Sequence, residues 1–195
     1  FLLPVGLADP DIPIIASDAV LPNPSSASAS AFYGSSVSNI GDVDGDGVDD
    51  LAVGAHHDDD GGSLSGAVYI LFMTSDGTIR ESTKISRSTG APWSGGAGAG
   101  IAVTGLGDVL GDGGCAIAVG GYYTSSFRGE VHILFLSSDG SIDSSRASVR
   151  IGDGTAGLVL QDGDQFGVAL SFRRRANGQL MLAVGGQLAD HGGTD

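Results

Sequence analysis

The chain has 195 residues, 34 of them glycine, with 23 acidic residues against 9 basic ones and a formal net charge of −14. That charge is the wrong footprint for nucleic acid, no run nears the ~18 apolar residues that span a bilayer, and the lone Cys115 makes neither an internal disulfide nor a Cys-based zinc site. The acids are 21 Asp and 2 Glu. With so much glycine, this disfavours helices, favours turns, and raises the prospect of a hard cation held by Asp oxygens.

Residues 1–30 differ from the rest. Five of the six prolines lie here (Pro4, Pro10, Pro13, Pro22, Pro24), followed by a Ser/Ala run. Proline fixes φ and lacks a donor, so an extended arm or linker is expected. Its apolar residues, among them Ile12, Ile14, Ile15 and Leu21, suit a segment laid against another surface. The Phe1 start, with no basic region ahead of a signal-peptide core, leads us to expect a processed or partial chain.

Beyond the arm the sequence repeats itself. Gly34–Gly54 matches Gly100–Gly120 at a constant offset of 66, with Gly41, Asp42, Asp46 and Gly54 answered by Gly107, Asp108, Asp112 and Gly120. A degraded third copy runs from Phe166-Gly167 to Gly186. Gly66–Ile79 matches Gly129–Ile142 at an offset of 63, because the loop after Gly54 loses three residues in the second copy. Surface loops absorb such changes and strands do not.

Each unit reads as four short strands, near 35–40, 50–55, 67–74 and 78–85 in the first. The third is rich in β-branched and aromatic residues, and Ser75-Asp76-Gly77 is a tight turn. No stretch shows sustained helical periodicity. Four antiparallel strands per repeat unit are the signature of a propeller blade.

Several pieces carry a family resemblance: Phe32-Tyr33-Gly34, the Asp42–Asp50 loop, Leu51-Ala-Val-Gly-Ala55, Val68-Tyr-Ile-Leu-Phe72 and Phe166-Gly167. Together they resemble the FG-GAP repeats of the integrin alpha-subunit propeller, and more closely the integrin-alpha-like repeats of bacteria and algae. The resemblance covers residues 31–195. It implies an all-β propeller, an extracellular setting, and binding or adhesion rather than catalysis. The expected division is an arm at 1–30, a blade with a calcium loop at 31–96, a blade with a degenerate loop at 97–163, and an incomplete third blade at 164–195. That is a partial propeller of about two and a half blades. Closure takes ~4–8 blades, so further blades or another chain are expected to complete it.

Asp42-Val-Asp44-Gly-Asp46-Gly47-Val48-Asp49-Asp50 is the strongest chemical motif. Carboxylates at positions 1, 3, 5 and 9 converge on one ion, Gly47 allows the turn, and Val48 offers its carbonyl. Oxygen-only ligands on a flexible loop select Ca²⁺ over Mg²⁺. The metal ligands expected are therefore Asp42, Asp44, Asp46, Val48 and Asp50. Two alternatives compete. An EF-hand needs a Glu at position 12, where Val53 stands, and a flanking helix. A Gly-Asp turn without an ion leaves four carboxylates repelling one another. The second loop keeps Asp108 and Asp112 but has Leu110 and Ala116 at positions 3 and 9, so weak or no binding is expected. The third has Arg173-Arg174-Arg175 and no acid, so no ion is expected there.

Other residues invite weaker readings. His56-His57-Asp58-Asp59-Asp60 reads as a solvated polar loop or as a second metal or contact patch. By the resemblance, residues 55–65, 86–99, 121–128 and 151–164 form the partner-facing side, with Tyr122, Tyr123, Phe127 and Arg128 the most contact-like. Trp93 is expected to cap the blade junction, His132 to pack, and Cys115 to be a half-buried structural thiol. No nucleophile-elbow or paired-carboxylate spacing selects a catalytic set. The leading expectation is a calcium-stabilised extracellular module for adhesion or protein assembly. The alternatives are an accessory propeller of a secreted hydrolase or lyase, and a lectin-like glycan binder.

Overall fold

Strands form where β-branched and aromatic residues run between glycine-rich turns. The computed structural model describes residues 31–187; the expected arm at 1–30 lies outside them. In the first unit β1 (Tyr33–Gly41), β2 (Asp50–Ala55), β3 (Ala67–Met73) and β4 (Ile79–Ile85) form one antiparallel sheet in sequential order. In the second, β5 (Ala99–Gly107), β6 (Cys115–Gly121), β7 (Glu130–Leu136) and β8 (Val149–Gly152) repeat that order. A hairpin of β9 (Ala169–Arg174) and β10 (Leu180–Gly185) follows. Helix among the described residues is limited to three single turns, at Arg87–Thr89, Thr124–Phe127 and Thr155–Gly157. The molecule is all-β, with four-stranded sheets that fit a partial propeller.

The turn between β3 and β4 has one chemistry in both blades. Gly77 at φ 82° and Gly140 at φ 74° take the left-handed region. Asp76 Oδ1 accepts from Thr78 N at 3.1 Å, and Asp139 Oδ1 from Ser141 N at 3.0 Å. The two blades then diverge. A small turn at Asp143–Ser145, in which Asp143 Oδ1 accepts from Ser145 N at 2.9 Å, precedes β8. It restores the three residues lost earlier. Val68 pairs with Ile85 and Val131 with Ile151, so the offset is 66 again by the fourth strand.

β3 is buried along its whole length. Val68, Ile70 and Phe72 join Ile117, Val119, Leu134 and Trp93 in a core shared by both blades, while Tyr69, Leu71 and Met73 pack with Val53 and Ala55 on the opposite face. Trp93 is 2% exposed and faces His132, so it does seal the blade junction. Each such side chain contributes about 1.5–3 kcal/mol by leaving water.

The blades meet along a seam made of glycine. Gly66 bridges Ala99 in parallel register, and Gly129 bridges Phe166 in the same way. Gly98 N donates to Leu64 O at 2.8 Å, and Gln165 N donates to Phe127 O at 2.7 Å. A Cβ on Gly54 would lie 1.9 Å from Gly100 O, and one on Gly120 would lie 1.9 Å from Gly167 O. The backbones touch, and only glycine permits it.

Candidate metal centre

The loop between β1 and β2 is organised first by Asp42. Its Oδ1 accepts from Gly45 N at 2.7 Å and Asp46 N at 3.0 Å, and its Oδ2 accepts from Gly47 N at 2.9 Å. Gly45 and Gly47 sit at φ 81° and 89°, where side chains with a Cβ are strained. Asp46 Oδ1 accepts from Val48 N at 2.9 Å and continues the turn.

Asp50, the first residue of β2, closes the loop from the core side. It is fully buried. Its Oδ2 accepts from Val43 N at 2.9 Å and its Oδ1 from Met73 N at 3.0 Å. Burial pushes this carboxyl above its ordinary range, and the charges of Asp44 and Asp46 add to that, against the pull of the two N–H donors.

One carboxylate oxygen each from Asp42, Asp44 and Asp50 lies within 4.8 Å of the others. Oxygens sharing one Ca²⁺ at about 2.3–2.6 Å stand no more than roughly 5 Å apart. The donor set therefore fits a hard cation in spacing and in chemistry. Asp46 is outside this trio, and its Oδ2 lies 3.3 Å from Arg80 Nη1. Val48 is partly buried within the loop. Arg80, on β4, also pairs with Asp44. Arg80 was not singled out from the sequence; a lone arginine in a polar strand carries no motif.

The FG-GAP repeat model matches residues 33–71, which span β1, the Asp loop, β2 and most of β3. This segment is an FG-GAP repeat. Strands flank its loop on both sides, so the EF-hand alternative has no helices to rest on.

The loop corresponding to that of the FG-GAP repeat lies between β5 and β6 and keeps the turn with fewer carboxylates. Asp108 accepts from Gly111 N at 2.6 Å, Asp112 N at 3.1 Å and Gly113 N at 2.9 Å. These N–H groups, Gly113 foremost, hold its carboxyl below the usual range. Leu110 is exposed and Ala116 buried where the FG-GAP repeat has Asp44 and Asp50. Arg146 reaches Asp112 at 3.0 Å. The third loop, at the tip of β9 and β10, closes by Arg175 N donating to Gln179 O at 2.8 Å, and Arg174 Nη2 donates to Asp108 O at 2.6 Å.

The loop after β2 differs from a solvated polar loop. Asp58 is 2% exposed, with Lys84 Nζ at 2.9 Å and the Tyr69 hydroxyl at 3.1 Å. His56 is buried, and burial followed by the charge of His57 lowers it to about 4. The desolvation cost of hiding Asp58 is met by its cation and hydroxyl partners. A strip of rings crosses this end of the seam: Phe32, His57, His56, Tyr122, Tyr123 and Phe127, in successive contact. Phe32 and Phe127 are exposed and both hold positive φ. Arg128, expected as a contact residue, is tied to Asp153 at 2.6 Å and Asp162 at 2.8 Å.

His132 is buried as expected, and packs beside an ion pair: its Nε2 lies 2.9 Å from Glu130 Oε1, with Arg150 Nε 2.5 Å from Oε2. Cys115 is half-buried, and its Sγ donates to Ile40 O at 3.1 Å. Burial, then the Asp50 charge, pushes its thiol up to about 11, far from the thiolate that reactive cysteines need.

Proposed function

We propose that the chain is a calcium-stabilised segment of an extracellular β-propeller serving cell-surface adhesion or protein–protein assembly. The convergence of Asp42, Asp44 and Asp50 in a strand-flanked FG-GAP loop carries this reading. Asp42 and Asp44 would hold the ion from the loop and Asp50 from β2, with Asp46 and the Val48 carbonyl completing the set. When bound, Ca²⁺ supplies a fixed double positive charge that neutralises carboxylates otherwise in mutual repulsion. Asp50 is anchored on Val43 and Met73, so ion binding couples the loop to β3, and its binding energy adds to folding stability. The division at 1–30, 31–96, 97–163 and 164–195 belongs to the same reading.

A partner-facing role is supported by the ring strip, whose exposed Phe32 and Phe127 lie at the opposite end of the strands from the Asp loop. Thermal melting in calcium and in chelator tests the ion. The midpoint rises with calcium, and Asp44→Asn abolishes the rise; identical midpoints contradict it. Adhesion is read by cell attachment to surfaces coated with the chain, with and without calcium. Attachment no greater than to a bare surface contradicts that part.

A further inference from the structure

The segment that runs from the third strand into the fourth delivers an arginine to the Asp loop in each blade, Arg80 on β4 and Arg146 in the turn ahead of β8. Arg80 and Arg146 occupy equivalent positions once the Asp143–Ser145 turn is counted, since both lie five residues before the partner of Val68 or Val131. Each guanidinium lies over the corresponding phenylalanine of the third strand, Arg80 Cζ 5.9 Å from the Phe72 ring centroid and Arg146 Cζ 5.7 Å from that of Phe135. Each then reaches the fifth position of its loop. Arg80 Nη1 lies 3.3 Å from Asp46, and Arg146 makes contacts of 3.0 and 3.2 Å to the two oxygens of Asp112.

The difference lies in what else the arginine touches. Arg146 is held from behind by Asp143, at 3.0 Å from its Nε, and its loop has only Asp108 and Asp112 to offer. Arg80 instead pairs with Asp44, one of the three carboxylates that converge on the proposed ion position. A guanidinium and a divalent cation cannot both take full advantage of that carboxylate. Arg80 is about half exposed, with a side-chain exposure of 45%, so it is free to swing away.

We propose that Arg80 competes with calcium for Asp44 and Asp46, and so sets the calcium affinity of this loop. Arg146 plays the counterpart role in the second loop as its permanent counter-charge. This rests on the calcium reading above and adds to it a residue that weakens binding. The competition is graded: an exposed ion pair is worth little alone, but two pairs on one guanidinium tune affinity over a useful range.

The test is calcium titration by calorimetry of the whole chain and of Arg80→Gln, Arg80→Lys and Arg146→Gln. Arg80→Gln binds calcium about three- to tenfold tighter, as expected for loss of two exposed pairs. Arg80→Lys falls between it and the parent, because ammonium keeps the charge and loses the fork. Arg146→Gln carries the same change in net charge and leaves the affinity unchanged. If the parent binds calcium and Arg80→Gln binds it no tighter, the competition is overturned while the calcium site stands. If Arg146→Gln tightens binding equally, net charge is responsible and the competition is again overturned. If neither the parent nor Arg80→Gln binds at millimolar calcium, both readings fall together.

Discussion

The loops at Asp42–Asp50 and Asp108–Ala116 have one backbone and two chemistries. In both, the first Asp gathers three N–H groups from the turn, and glycines hold the left-handed positions. The turn is therefore held by its own N–H groups and glycines in both loops. The loops differ at positions 3 and 9, where one has Asp44 and a buried Asp50 and the other has Leu110 and a buried Ala116. Losing those two carboxylates left the turn and its arginine in place. Turn shape and carboxylate content are thus separable in this repeat, and each can be broken without the other.

The largest effects are expected where the two blades agree. Gly54→Ala and Gly120→Ala each drive a Cβ into a carbonyl of the next blade. Each costs about 3–4 kcal/mol, measured by urea unfolding. A much larger loss at one seam than at the other would show that the two junctions are not equivalent.

Asp50→Ala comes next. It leaves Val43 N and Met73 N without their acceptor in the core, at about 2–3 kcal/mol even in chelator. An equally stable variant would mean that Asp50 serves the ion alone. The converse change, Leu110→Asp with Ala116→Asp, sharpens the comparison by giving the second loop the missing carboxylates. It should add a second calcium equivalent by calorimetry, and a count unchanged from the parent would show that more than ligands was lost.

Calcium at ten times its Kd should stabilise the parent by about 1.4 kcal/mol. Asp44→Asn should lose this response and Asp112→Asn should keep it, as read by melting in calcium and in chelator.

The smallest effect belongs to the buried Glu130 carboxylate of β7, which pairs with Arg150 of β8. Burial alone would raise the Glu130 carboxyl, but His132 and Arg150 more than offset it and hold it below its ordinary value. Its contribution is complete above the unfolded Glu value of about 4.3 and fades as pH falls through the lowered folded value. Stability should drop more steeply with acid in the parent than in Glu130→Gln. Parallel acid curves by urea unfolding would remove Glu130 from this role.

Much of the fold was legible because repetition reports on packing. Matched Gly and Asp positions placed the strands and turns, and β2 stands where the apolar run at 50–55 put it. The strand bounds moved by one or two residues at β1, β3 and β4. The repeat offset runs 66 and then 63, and its return to 66 is hidden because Asp143–Ser145 looks like ordinary turn sequence. That insertion concealed the equivalence of Arg80 and Arg146. In sequence the seam glycines look like turn residues, although Gly54 and Gly120 are denied a side chain by a neighbouring blade's carbonyl. The loop 56–60 looks solvated in sequence for a similar reason, yet His56 and Asp58 are buried. Nothing local says that Asp58 will be buried against Lys84, which arrives from a strand 26 residues on. In the first Asp loop the clustering of Asp42, Asp44 and Asp50 follows from the motif spacing, whereas the arginine that confronts them carries no motif.

Calorimetric titration of the whole chain with calcium tests the central claim most directly. The account predicts one equivalent, bound at the Asp42–Asp50 loop and lost in Asp44→Asn. No binding at millimolar calcium, or two tight equivalents in the parent, would contradict it.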